Sequence, residues 1–135
     1  MSDTENRESR RDTNLSTFGI IMEPLCRDFE QIETAVFYDK LGETIDYFTL
    51  KDPYLTRLVA AHHGLIFESA NAKTQWLDMG VVEMIELVMG QLDTVTVRVG
   101  EDIYLSVIAQ AGTIDDEIRT AIEKTVRQLR EEAGY

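Results

Sequence analysis

The sequence is short of the residues that most intracellular chemistry uses. It has one cysteine, Cys26, two histidines, His62 and His63, two prolines and one tryptophan. A lone cysteine excludes an internal disulfide and a cysteine-ligated metal cluster, and it fits a reducing cytoplasm. The histidines are adjacent. On a helix their side chains diverge by about 100°, whereas two histidines sharing a metal need a spacing of four. Helix packing and solvent are therefore the expected roles for them. No apolar run approaches the roughly 18–20 residues of a membrane span, and the polar, charged N-terminus is not that of a signal peptide. There is no glycine-rich phosphate loop, no GxSxG elbow and no Cys/His ligand spacing. Positive charge is also scarce. The net charge is −12, and an acidic surface repels both a nucleic-acid backbone and an anionic membrane.

What is present is a single domain's worth of patterned apolar sequence. Residues 79–111 organise it. An apolar run at 81–89 is followed by Gly90-Gln91-Leu92-Asp93, then by a run at 94–99 and by Gly100-Glu101-Asp102. A third run occupies 103–109. The middle run alternates, with Val95, Val97 and Val99 on one face and Thr94, Thr96 and Arg98 on the other. Period-two alternation between turn signals predicts an antiparallel meander of three strands.

The rest covers or extends that sheet. Residues 1–14 hold no apolar side chain after Met1, so a disordered tail is expected, with Arg7, Arg10 and Arg11 solvated. The folded domain should span 15–132. Residues 18–29 carry a helical stripe through Ile21, Leu25 and Phe29. Pro24 inside it predicts either a kink or a regular helix beginning near 23–24. Cys26 reads as a small core filler there. Strands are expected at 32–38 and 43–48, joined by a turn at Asp39-Lys40-Leu41-Gly42.

Asp52-Pro53 starts a long helix, an Asx cap followed by proline at the first helical position, running to about Lys73. Leu55, Leu58, Val59, His62, Leu65 and Ile66 form its wide apolar face, and Tyr54, Ala60, Phe67 and Ala70 make the remainder apolar too. Such a helix needs covering on more than one side. Residues 71–78 read as a linker. Thr113 with Asp116 three residues on predicts a capping box for the last helix, whose stripe is Ile118, Ala121, Ile122, Thr125, Val126 and Leu129. Asp115/Arg119 and Glu123/Arg127 are spaced as ion pairs on its wet face. Asp115-Asp116-Glu117 complements the helix dipole and does not read as a catalytic cluster. Glu83 and Glu86 fall on opposite faces of their strand, so they are no acid–base pair.

The expected fold class is α+β, a five-stranded, mostly antiparallel sheet in the order α-β-β-α-β-β-β-α, a profilin-like layout. No convergent polar groups point to catalysis, to a metal or to a cofactor. A binding or scaffolding module is the physical reading.

The element order and several stretches resemble the Roadblock/LC7 superfamily, including its bacterial MglB-like regulators of small GTPases. The resemblance covers roughly residues 18–129. It rests on the first helix leading into Ile32-Glu33-Thr34-Ala35-Val36-Phe37-Tyr38-Asp39, on Gly42 in the hairpin turn, and on Leu58-Val59-Ala60-Ala61 in the long helix. Val81-Val82-Glu83-Met84 and Tyr104-Leu105-Ser106-Val107-Ile108-Ala109 complete it. It implies a cytoplasmic, non-catalytic platform for a small Ras-like GTPase, or a structural adaptor in a signalling or motility complex. It further implies pairing with a second copy or a related Roadblock chain through the third strand, placing Met84, Ile85, Glu86, Leu87 and Val88 at a dimer interface. The long helix would then present Leu58, Ala61, His62 and Leu65 to its twin or to the GTPase. One reading of the residues themselves agrees. A long apolar edge strand invites aggregation unless something pairs with it.

Overall fold

A computed structural model describes residues 16–50 and 52–135. The expected tail at 1–14 lies outside the described residues. The elements are α1 (Thr17–Asp28), β1 (Ile32–Asp39), β2 (Thr44–Thr49), α2 (Pro53–Trp76), β3 (Met84–Val88), β4 (Leu92–Gly100), β5 (Ile103–Gln110) and α3 (Asp116–Glu132). The strands form one sheet in the order β2-β1-β5-β4-β3, and every neighbouring pair is antiparallel. The expected α+β class and element order are those observed, with the meander β3-β4-β5 joined to the first hairpin through β1 and β5.

Helices α1 and α3 cover one face. Met22, Leu25 and Cys26 from α1 and Ile118, Ile122, Val126 and Leu129 from α3 meet Ala35, Phe37, Val95, Val99, Leu105 and Val107 of the sheet in one buried cluster. The α3 stripe is the one that the 3.6-residue period predicts. On α1 the buried line is Met22, Leu25 and Cys26, while Phe18, Ile21 and Phe29 are only partly buried. Helix α2 covers the other face, with Ala60 and Phe67 against Val36, Tyr38 and Tyr104.

Several boundaries differ from expectation, each for a local reason. The first helix is intact from Thr17, because Ser16 caps it by accepting from Gly19 N–H at 3.3 Å. Regular helix therefore does not begin near Pro24, which lies in the interior and lines a groove between α1 and α3. The cap of α3 is Asp115, accepting from Ile118 N–H at 2.9 Å. Thr113 instead donates its hydroxyl to Gln110 O at 2.6 Å, so the expected capping box does not form. Residues 71–76, expected as linker, continue α2. Asn71 Oδ1 accepts from Val82 N–H at 3.0 Å, which ties the end of α2 to the approach of β3.

Strand β3 is shorter than the apolar run at 81–89. Arg98 explains where it begins: its Nε donates to Val82 O at 3.0 Å and its Nη1 to Glu101 O at 2.8 Å, so side-chain bonds hold Val82 just ahead of the strand. At the far end Asp93 accepts from Met89 N–H at 3.3 Å and from Gly112 N–H at 2.9 Å, joining two turns through one buried carboxylate.

One glycine is required by close approach. Gly42 has φ +81°, and a Cβ there would sit 2.7 Å from Ala61 Cα. At Gly64, in mid-helix, a Cβ would meet the Tyr38 ring at 3.4 Å, an ordinary contact distance, so close approach alone does not call for glycine there.

Candidate partner-docking surface

The candidate surface is built by α2 and the free edge of β3, and it begins with how α2 meets the sheet. The residues that face the sheet are Thr56, Ala60, His63, Gly64, Phe67 and Asn71. Thr56, Ala60, Gly64 and Phe67 are buried, His63 reaches Thr94 and Asn71 reaches Val82. The sheet beneath them is lined with hydroxyls. Tyr38 Oη bonds Ser106 Oγ at 2.7 Å, and Ser106 Oγ bonds Thr96 Oγ1 at 2.8 Å. Thr34 and Thr49 bond through their hydroxyls at 2.8 Å. Burial pushes the Tyr38 phenol up to about 12.

One of the two partners of His63 fixes where its first proton sits. Nδ1 lies 2.8 Å from the Val59 carbonyl, which only accepts, so Nδ1 carries the proton. In the neutral ring Nε2 accepts from Thr94 Oγ1 at 3.1 Å, and a protonated ring would donate to the same oxygen. Burial lowers the His63 pKa below 6.5, the bond to Val59 opposes this, and neighbouring His62 adds to it. Burial likewise raises the Tyr104 phenol, helped by its hydrogen bond to Glu68 and the nearby Glu68 charge.

With these residues turned inward, part of the apolar stripe read from sequence faces outward. Leu58, Leu65 and Ile66 are exposed, Leu65 by 67%, and His62 is exposed as well. Ala61 lies apart from them, against Gly42 in the β1–β2 turn. The end of the helix adds Trp76, 85% exposed, followed by exposed Leu77, Met79 and Val81. A soluble surface seldom leaves this many large apolar side chains together without a partner.

Among the described residues, strand β3 bonds to β4 on one side only. Its register runs from Met84 opposite Val97 to Val88 opposite Asp93, and Arg98 N–H donates to Glu83 O at 2.9 Å. Antiparallel residues alternate between bonding to the neighbour and turning away. Ile85 and Leu87 therefore bond to β4, while the N–H and C=O groups of Met84, Glu86 and Val88 point out of the sheet. The side chains of these three lie on the α3 side, since their partners Val97 and Val95 belong to that core. Ile85 packs on the α2 side. Met84 and Val88 are exposed; Ile85, Glu86 and Leu87 are half-buried.

Glu86 is the one charge within β3, and Arg119 of α3 meets it, Nη2 to Oε1 at 3.0 Å and Nε to Oε2 at 3.4 Å. Arg119 also reaches Asp116 at 3.3 Å, and these partners raise its pKa, Glu86 most. The expected pairing of Arg119 with Asp115 is replaced, because Asp115 is occupied as the helix cap. Between α3 and β3–β4 runs a groove of about 330 Å³ with Met84, Val95, Val97, Ile122 and Val126 in its lining.

Sequence reasoning missed Trp76, Leu77, Met79 and Arg119. Trp76 and Leu77 fall in the stretch expected as a linker. For Arg119 a signal exists, since a lone carboxylate in an apolar strand calls for a cation. The element that supplies it is not readable from sequence.

Among the described residues no group of three His, Cys, Asp or Glu side chains is placed to hold a metal, and no helix is long and apolar enough to cross a membrane.

No family model matches the sequence, and no curated protein matches it either. Solved structures do match in shape. A Roadblock/LC7 domain from Streptomyces avermitilis superposes with a TM-score of 0.78 at 15% identity, covering 91% of this chain and 100% of that one. Myxococcus xanthus MglB gives 0.79 at 15% identity, over 90% of this chain and 98% of that one. The gliding protein MglB of Thermus thermophilus gives 0.75 at 12% identity, over 88% and 93%. With five strands in this order, α2 alone on one face and α1 and α3 on the other, the chain has the Roadblock/LC7 fold.

Proposed function

We propose that the protein is a non-catalytic, dimeric cytoplasmic platform for a small Ras-like GTPase and that it biases the nucleotide cycle of that partner. The observation that carries this reading is the pairing of an open, half-apolar strand edge with an outward apolar helix stripe: Met84 and Val88 on β3, and Leu58, Leu65 and Ile66 on α2. A strand edge is satisfied by another strand and an apolar helix stripe by another apolar surface. A second copy, or a related Roadblock chain, supplies the strand. The helices of the pair then form a surface for the GTPase. Any acceleration of hydrolysis is positional, through ordering of the GTPase's own mobile segments. The likeness to MglB structures supports this reading.

The test is solution mass by light scattering over a concentration series, followed by GTP turnover of a candidate GTPase with and without the protein. A dimer with altered turnover is expected. Val88→Pro should yield monomer, because the Val88 N–H points outward and proline removes that donor while sparing the bonds to β4. Unchanged turnover, with equal binding of both nucleotide states, favours the second reading. That reading is a structural adaptor in a motility or signalling complex, motivated by the likeness to a protein named for gliding.

A further inference from the structure

The outward groups of β3 restrict how a second copy can pair with it. An antiparallel copy related by a two-fold axis must set outward-pointing residues opposite one another. Within the five-residue strand the axis can pass through Ile85, Glu86 or Leu87. Only the axis through Glu86 pairs the whole strand and bonds every outward N–H and C=O.

The side chains on the α3 side agree with that choice. With the axis at Glu86, Met84 of one copy lies opposite Val88 of the other, and these are the two exposed apolar side chains of the strand, at 52% and 77%. Moving the axis to Ile85 sets Met84 against Glu86, and moving it to Leu87 sets Val88 against Glu86. The difficulty of the central register is that Glu86 meets its own copy, and like charges directly opposite in a sheet repel. Arg119 answers this. Its guanidinium holds both oxygens of Glu86, at 3.0 and 3.4 Å, so each carboxylate arrives at the axis with its own cation.

We propose that the chain pairs with a second copy of itself through β3 with the two-fold axis at Glu86, and that Arg119 is the residue that permits this register. The axis then carries two carboxylates and two guanidinium groups. A related chain with a carboxylate at this strand position and no cation on its last helix brings an unmatched charge, so the pair of residues selects for self. This inference rests on the strand-paired dimer proposed above and specifies its register.

Three single-cysteine variants locate the axis: Ile85→Cys, Glu86→Cys and Leu87→Cys, with the wild type, whose Cys26 is buried, as the blank. Residues facing each other across a bonded pair lie about 5.5 Å apart at Cα, within disulfide reach, whereas those displaced diagonally lie about 7–8 Å apart. Mild oxidation is expected to cross-link Glu86→Cys to its own copy well ahead of the other two. Faster cross-linking at 85 or 87 overturns the register. Cross-linking at none of them, with a dimer still seen by light scattering, places the interface elsewhere and overturns the inference while leaving a dimer. A monomer at all concentrations overturns both. For Arg119, the Arg119→Ala variant should raise the dimer Kd about tenfold, and adding Glu86→Gln should bring it back to within about threefold of wild type. An unchanged Kd for Arg119→Ala, or a double variant as weak as the single, assigns Arg119 only to holding α3 on the sheet and overturns its role.

Discussion

The two faces of the sheet are built from different chemistry. Toward α1 and α3 the sheet presents Ala35, Phe37, Val95, Leu105 and Val107, and both helices answer with aliphatic side chains. Toward α2 it presents the hydroxyls of Thr34, Tyr38, Thr94, Thr96 and Ser106, and α2 answers with small residues, His63 and Phe67. The first face is held by burial, which is large and non-directional. The second combines a smaller buried cluster around Phe67 and Tyr104 with hydrogen bonds from His63 to Thr94 and from Tyr104 to Glu68, which are individually modest but fix position. The contrast explains the surface. A helix that docks through a narrow seam of small residues, one aromatic ring and a few polar groups keeps other apolar side chains free, and α2 turns Leu58, Leu65 and Ile66 outward. The face with the oily core carries most of the buried aliphatic side chains, and the helix on the other face is the one that keeps large apolar side chains exposed.

Substitutions graded by size can break this contrast. Phe37→Ala, at a position 1% exposed in the oily core, should cost about 3–5 kcal/mol in urea unfolding. That is a large share of a small domain's total of roughly 5–15 kcal/mol. Ser106→Ala strikes the other face, where it removes the shared partner of Tyr38 and Thr96. A cost of about 1–3 kcal/mol is expected, the range for leaving buried hydroxyls unpaired. A loss as large as that of Phe37→Ala would mean that the two faces are not held differently after all.

His63 sharpens the contrast through pH. Its folded pKa is lowered from 6.5, mainly by burial, so the unfolded chain takes up the proton first as pH falls. Its contribution to stability is therefore complete above pH 6.5 and declines as pH drops toward the folded value. Unfolding measured between pH 7 and pH 5 should show a smaller decline for His63→Gln than for the wild type. The smallest effect on folding is expected outside the seam. Leu65→Ser, at an outward position, should change stability by no more than about 0.5 kcal/mol while weakening the proposed association with a second copy or a GTPase, read by light scattering and pull-down. A large loss of stability there would contradict the division between a holding face and a docking face.

Much of the fold was readable because its signals are local. The alternation of Val95, Val97 and Val99 against Thr94, Thr96 and Arg98 named β4 and its two faces. Asp52-Pro53 named the start of α2, and the stripe through Ile118, Ile122 and Leu129 named α3 and its inner side. The candidate surface was only half readable. Helical period showed that α2 has a wide apolar face, but no period says which neighbour that face meets. Leu58, His62 and Leu65 lie outward, whereas Ala61 is taken up by the β1–β2 turn through its fit to Gly42. Ends of elements were misread where a side chain from a distant residue intervened. Arg98 acts in this way on Val82, Asp93 on Met89, and Asn71 on the chain leading into β3.

The amino-acid order by itself determined the strands, the helices, the α+β class and the presence of surplus apolar surface, because propensity, caps and hydrophobic period act within a few residues. Tertiary structure alone decided that β1 joins β5, that the polar face of β4 lies under α2, and that Arg119 travels from its own helix to Glu86. Those outcomes depend on which surfaces fit when the whole sheet is assembled. Helix α2 meets part of the enclosed polar groups, through His63 on Thr94 and Glu68 on Tyr104, and with Ala60 and Phe67 also turned to the sheet, Leu58, Leu65 and Ile66 are left on its outer side.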